Sequence, residues 1–303
     1  MFETVIDFMK TFIYSKLLIV ILIGSGIYFT IRTRFLQVRL FKNACSAVME
    51  KPEGEASVSS FQALMVSTAS RVGTGNIVGV SSAICIGGVG SVFWMWVIAI
   101  IGSASALAES TLAQIYKKKG EDGRCYGGPA YYIEAALHSR PLAIAFCIAM
   151  ILTYAFGFNM LASYNLQSTF SGFSFYNPSV TPWIIGGILA VVTGWCLLGG
   201  GSRIVKVTST LVPVMGIAYI AVALLVVILN IANIPMVFAT IFREAFDFRA
   251  IFGAFAGSAL MQGIRRGLYS NEAGIGSAPN AAASAHVSHP VKQGLVQMLS
   301  VFI

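Results

Sequence analysis

Gly73-Thr74-Gly75-Asn76 stands in the middle of FQALMVSTASRVGTGNIVGVSSAICIGG, an apolar run from Phe61 to Gly88. A helix that spans the hydrocarbon of a bilayer takes about 20 mostly apolar residues, and this run has the length. Two glycines and an asparagine at its midpoint are hostile to a helix. Irregular backbone at that depth persists only where protein buries it or where it lines a watery cavity. Such a break offers two chemistries side by side. The half before it, Phe61 to Val72, ends in carbonyls without helical partners; those near Val72 and Gly73, with the side chains of Thr74 and Asn76, are hard oxygen donors for a small cation. The half after it, Ile77 to Ile86, opens with unpaired N–H groups and the positive end of a helix dipole, which suit a carboxylate. Gly73, Gly75 and Gly79 leave room for a ligand to touch backbone. A glycine-lined helix crossing is the alternative, but close packing alone does not call for Thr and Asn inside the glycine run.

Other polar groups interrupt apolar runs. Arg71 lies ten residues into its run, roughly 15 Å deep at 1.5 Å per residue, and is costly there unless paired. Glu109 in the next run is its natural partner, and the pair reads either as a gate or as a static buried contact. Asn159, Asn165 and Gln167 in the fourth run either hydrogen-bond a substrate or tie helices together. The short run AIFGAFAGSALMQGI is broken by Gly253, Gly257, Ser258 and Gln262. Catalysis has no signature: there is no HExxH, GxSxG or P-loop, GTGNIVG is not GxGxxG, and the five cysteines have no metal-ligand spacing. The sequence therefore predicts neither an enzyme nor a bound cofactor.

The elements that must position these groups follow from composition. Hydrophobic residues make up 56% and charged residues 11% of the 303, with a mean hydropathy of +0.78, so the chain is an all-α polytopic membrane protein whose partner is the lipid bilayer. The net charge of +8 sits in short loops and forms no stripe for nucleic acid. Spans fall near 12–31, 61–88, 91–116, 142–168, 183–198, 207–230 and 250–264, and an eighth begins near 294, inside which the sequence stops; a C-terminally truncated chain is the expectation. With the N-terminus outside, the inner loops hold fifteen Lys and Arg: five from Arg32 to Lys51, five from Lys117 to Arg140, then Arg203, Lys206, Arg265, Arg266 and Lys292. The outer segments hold only Lys10, Lys16, Arg243 and Arg249, as the positive-inside rule requires. Two inner loops carry helix signals, Pro129 to Ser139 and the second half of Ser270 to His289, which starts at Pro279. Spans two to six form a set of five, and the broken seventh opens a second set in the opposite orientation. That is the pattern of an inverted repeat with its site at the midplane. The division is residues 1–60, an N-terminal helix and loop; 61–230, a first five-helix repeat; and 250–303, the start of a second.

FQALMVSTASRVGTGNIVGV, FWMWV near Phe93, AESTLAQIY near Glu109, YGGPAYYIE near Gly127 and RGLYSNEAGIGSAPNAAA from Arg266 together resemble the alanine or glycine:cation symporter family, the sodium:alanine symporters of prokaryotes. The resemblance covers the whole chain. It implies a leucine-transporter-type (LeuT-type) inverted-repeat fold with an extra N-terminal helix and, here, an incomplete second repeat. It also implies a plasma-membrane location (the prokaryotic inner membrane) and sodium-coupled uptake of a small neutral amino acid, with sodium as coupling ion. Carried onto this sequence, it puts substrate contacts at Gly73, Thr74, Gly75 and Asn76 and sodium contacts at Thr74 and Asn76. Gln262 and its neighbours, Gly257 among them, close the site from the other side. Many members carry Val-Gln-x-Asn in the fourth span; here Leu161-Ala162-Ser163-Tyr164 stands there, followed by Asn165. The amide then moves to Asn165 or Gln167, and the choice among alanine, glycine, serine and glutamine stays open. A passive facilitator or channel and a non-transporting fragment are the rival readings, and the sequence assigns no oligomeric state.

Overall fold

The computed structural model describes residues 4, 8–50, 58–73, 75–121, 125–247 and 257–303, and its elements are almost all helices. A π-helical stretch, Met9–Leu17, leads into α1 (Leu18–Arg32). Two short helices follow, α2 (Leu36–Arg39) and α3 (Phe41–Val48). The first half of the broken run is α4 (Ser60–Arg71), started by a reciprocal cap in which Gln62 N–H donates to Ser59 Oγ and Ser59 N–H to Gln62 Oε1. After the break, a π-helical turn (Gly75–Gly79) leads into α5 (Val80–Gly87). A turn at Gly88, whose φ of +84° favours glycine, opens α6 (Ser91–Ile115).

Helix α6 is the axis of the bundle. Its middle turn, Gly102 to Ala106, is buried and made only of glycine, serine and alanine, which lets neighbours approach closely. The rest of the chain contributes a two-strand hairpin, β1 (Lys118–Lys119) against β2 (Cys125–Tyr126), and α7 (Pro129–Leu137). The fourth run is one continuous rod from Arg140 to Gly172. Its main parts are α8 (Arg140–Ile151), a π-helical stretch (Leu152–Phe158) and α9 (Asn159–Ser168). Then come α10 (Thr181–Leu198), α11 (Gly200–Leu229), α12 (Ile234–Ala245), α13 (Ala259–Asn271), α14 (Ala278–Ser284) and α15 (Pro290–Phe302). Helix α6, the rod 140–172, α10 and α11 are each long and apolar enough to cross a membrane. This is a multi-pass helical membrane protein.

Several expectations are corrected. The seventh span, placed at 250–264, has its first residues outside the described ones, and α13 runs on to Asn271, so Arg265 and Arg266 lie in a helix and not in a loop. Two causes are local: Ser258 caps the start by accepting from Met261 N–H, and Gly79 leaves a hollow that the Arg266 guanidinium fills. The stretch after Asn230, where the sequence predicts an outer segment, contains α12, whose Glu244 carboxylate accepts from Val89 N–H at 2.7 Å and so ties α12 to the turn before α6. Helix α3 also replaces part of an expected loop. Helix α14 starts around Pro279 as expected, but Ala278, Pro279, Ala282 and Ala283 are buried and it packs on α6; these small and apolar side chains form the packed face, and Asn280 is exposed.

Candidate functional site

The backbone of the broken run stops being helical at Val72 (φ −84°, ψ 86°). The break is bridged by its own residues. Asn76 donates from Nδ2 to the Arg71 carbonyl at 3.0 Å and from its backbone N–H to the Gly73 carbonyl at 3.0 Å. The carbonyls expected to be free are therefore partly engaged, each keeping a second lone pair. Thr74 lies outside the described residues. Gly75 opens the π-helical turn.

Two cavities flank the break. One, of about 300 Å³, lies on its Arg71 side and is lined by Ser70, Arg71, Gly73 and Asn76 together with Tyr154, Phe158 and Asn159 of the rod and Tyr269 and Glu272 near the end of α13. The other, of about 430 Å³, lies along α5 and is lined by Gly79, Ser82, Asn165, Gln262, Arg265, Arg266 and Tyr269. Leu161 and Tyr269 line both cavities. Helix α13 runs antiparallel to the broken run: Gln262 lies against Gly87, Arg266 against Gly79, and Glu272 bonds Ser70.

The expected site residues divide accordingly. Gly73, Asn76 and Arg71 share the first cavity, and Asn165 and Gln262 share the second. Gln167 lines neither; its Oε1 accepts from the Tyr176 hydroxyl at 2.8 Å. Gly257 also lines neither and sits beside the α13 cap, with nothing within 4 Å of its would-be Cβ.

Three buried charges gather at the first cavity, with Arg71 and Glu272 in its lining and Glu109 outside it. Arg71, 5% exposed, donates from Nη1 to Gln297 Oε1 at 3.3 Å, while its Nε and Nη2 are buried without a hydrogen-bond partner. Glu109 accepts from Gly274 N–H at 3.2 Å. Glu109 and Glu272 are the two carboxylates that act on the Arg71 charge. The expected direct Arg71–Glu109 pair is thus replaced by a looser cluster. The loop after α13 supplies Glu109 with a backbone donor, and α15 supplies Arg71 with an amide.

Glu272 is the residue that the sequence reading missed. It is 3% exposed, takes a left-handed φ of 47°, and accepts from Ser70 Oγ at 2.8 Å and Ser277 Oγ at 2.7 Å. Its signal was the lone acid of SNEAGIGSAP, a stretch whose polarity reads as loop. Outside the spans, burial together with Lys117 and Lys119 holds His286 below the ordinary histidine range. An NMR titration should find its midpoint there. Because the folded pKa is the lower one, any stabilisation from His286 is present above its unfolded pKa and fades as pH falls toward the folded value.

The profile described as the sodium:alanine symporter family matches residues 1–303. The amino-acid carrier protein AlsT of Bacillus subtilis is 49% identical over 99% of this chain and 63% of its own length. The probable sodium/glutamine symporter GlnT of the same organism is 47% identical over 99% of this chain and 62% of its own. The sodium/alanine symporter AgcS of Methanococcus maripaludis is 38% identical over 100% of this chain and 67% of its own. The chain spans about three-fifths of the length of AlsT and GlnT. These relatives are transporters and not enzymes.

Proposed function

The chain belongs to the sodium:alanine symporter family, and on that premise we propose that it takes part in sodium-coupled symport of a small neutral amino acid into the cell by alternating access. Alanine and glycine head the candidates, with serine and glutamine behind them. The observation that carries this reading is the break that begins at Val72, beside which Gly73 and Asn76 line a cavity within a membrane-spanning bundle.

Sodium binds first, at the carbonyls around Gly73 and the oxygens of Thr74 and Asn76. Its charge and the N–H groups that open the Gly75–Gly79 turn then fix the substrate carboxylate. Arg71 and Glu109 belong to the gate that closes the path toward the cytoplasm. One sodium charge crossing inward releases about 2.3 kcal/mol per 100 mV, enough to concentrate a neutral zwitterion more than tenfold. The antiparallel course of α13 along the broken run supports a LeuT-type inverted repeat, with 61–230 as its first unit, 250–303 as part of its second and 1–60 as an added helix. With Arg265 and Arg266 placed in α13, thirteen Lys and Arg against four still support an N-terminus outside, in the plasma membrane.

Radiolabelled alanine and glutamine uptake into proteoliposomes, with and without an inward sodium gradient, tests the proposal. Accumulation above equilibrium that needs sodium is the expected result; equilibration that ignores sodium would mean a facilitator and defeat it. Replacing Asn76 by alanine removes the amide that closes the break at a cost of about 1 kcal/mol in stability. Uptake should nonetheless fall at least about tenfold if the amide also serves the sodium and substrate sites, where a lost hydrogen bond to a charged group weighs about 1.5–3 kcal/mol.

A further inference from the structure

We propose that Glu272 binds the ammonium group of the transported amino acid in the cavity on the Arg71 side of the break. The inference rests on the amino-acid reading above and assigns a residue to the half of the substrate which the break does not serve.

The two cavities differ in charge. Among the described residues, the larger is lined by two arginines and no carboxylate, whereas the smaller is lined by one charge of each sign, Arg71 and Glu272. A neutral amino acid is a zwitterion, with no net charge and a large dipole, and it matches the smaller cavity. The break provides for its carboxylate through backbone N–H groups. Its ammonium, stripped of water in a bundle of low dielectric, needs an acceptor that compensates for lost hydration, and a carboxylate does this best.

Glu272 has the capacity and the fixity for that task. Ser70 and Ser277 both donate to the same oxygen, Oε2, the Tyr154 hydroxyl is a further partner, and a carboxylate has about four lone-pair sites. The left-handed φ places Glu272 as the C-cap of α13, so the end of that helix fixes where its carboxylate starts. In the same lining, the rings of Tyr154 and Phe158 stack at 4.9 Å and those of Phe158 and Tyr269 at 5.7 Å, which gives the cavity an apolar side. Glu109, the other buried acid among the described residues, does not line the cavity.

Equilibrium binding of radiolabelled L-alanine and L-glutamine to the purified chain in sodium, each competed by its own unlabelled amino acid and by the matching α-hydroxy acid, tests the assignment. The hydroxy acid keeps the carboxylate and side chain but lacks the ammonium. The unmodified protein should prefer the amino acid, and Glu272→Gln should cut that preference roughly ten- to a hundredfold. Ser277→Ala, which removes a hydroxyl bonded to Glu272 but keeps the carboxylate, should retain the preference and so separates charge recognition from loop packing. An unchanged preference in Glu272→Gln overturns the proposal, as does an equal weakening of both ligands. Absence of sodium-dependent amino-acid binding in the unmodified chain overturns the transport reading with it; sodium-dependent binding that survives Glu272→Gln intact overturns this assignment alone.

Discussion

Replacing Arg71 by leucine is expected to destabilise the folded protein by about 3–5 kcal/mol and to abolish sodium-dependent uptake. Arg71 is 5% exposed, and its guanidinium faces two buried carboxylates, Glu109 and Glu272. Removing it takes that positive charge away from both carboxylates, and the uncompensated charge is the larger part of the cost. The loss of the Gln297 bond adds little, since at 3.3 Å it is long. Lysine at 71 keeps the charge but not the planar fork, so an intermediate loss is expected. The double variant Arg71→Leu, Glu109→Gln removes one stranded charge and should regain part of the stability without regaining transport. Thermal unfolding of the detergent-solubilised variants, followed by tryptophan fluorescence, measures this. If Arg71→Leu unfolds at the same temperature as the unmodified protein, the three groups are not an electrostatic unit.

What was legible in the sequence was whatever hydropathy and backbone chemistry decide locally. Glycines and Asn76 interrupt α4 and α5 because they favour non-helical backbone in any context, and Pro129 and Pro279 mark helix starts because the ring suits a first turn. What escaped was decided by packing. Arg265 and Arg266 read as a loop because their charges lower hydropathy, yet Gly79 and the Tyr269 ring give one guanidinium a place inside the bundle. Helices α3 and α12 are short and amphipathic, and a search for 20 apolar residues passes over them. Glu272 gives no sign of a role in the sequence because its partners, Ser70 and Ser277, are recognisable only once the loop folds back onto α4. For the same reason Glu109 seemed the obvious partner for Arg71: the competing donor, Gly274 N–H, is a backbone group with no trace in residue type.

Replacing Gly263 by leucine carries the second large expected effect. Gly263 and Gly267 are four apart on α13, so both face α6, and they set how closely the two helices approach. A Cβ at 263 would lie 2.5 Å from the Ser91 carbonyl oxygen and 2.6 Å from Trp94 Cβ. Neither neighbour is the free end of a flexible side chain: Ser91 is the first residue of α6, and Trp94 is held by its indole N–H bond to the Ala245 carbonyl. The helices must therefore part, at a cost of about 1–3 kcal/mol and more for the bulk of leucine. Because Gln262, Arg266 and Tyr269 ride on the displaced helix, both cavities change shape and uptake should be lost even in molecules that remain folded. Gly194 in α10 supplies the contrast: nothing lies within 4 Å of its would-be Cβ, so Gly194→Ala should leave stability and uptake within the scatter of ordinary surface changes, about 0.5 kcal/mol. Equal tolerance at 263 and 194, read by thermal unfolding and uptake on the same preparations, would mean that α13 is not held against α6 and that the site is not built on their crossing.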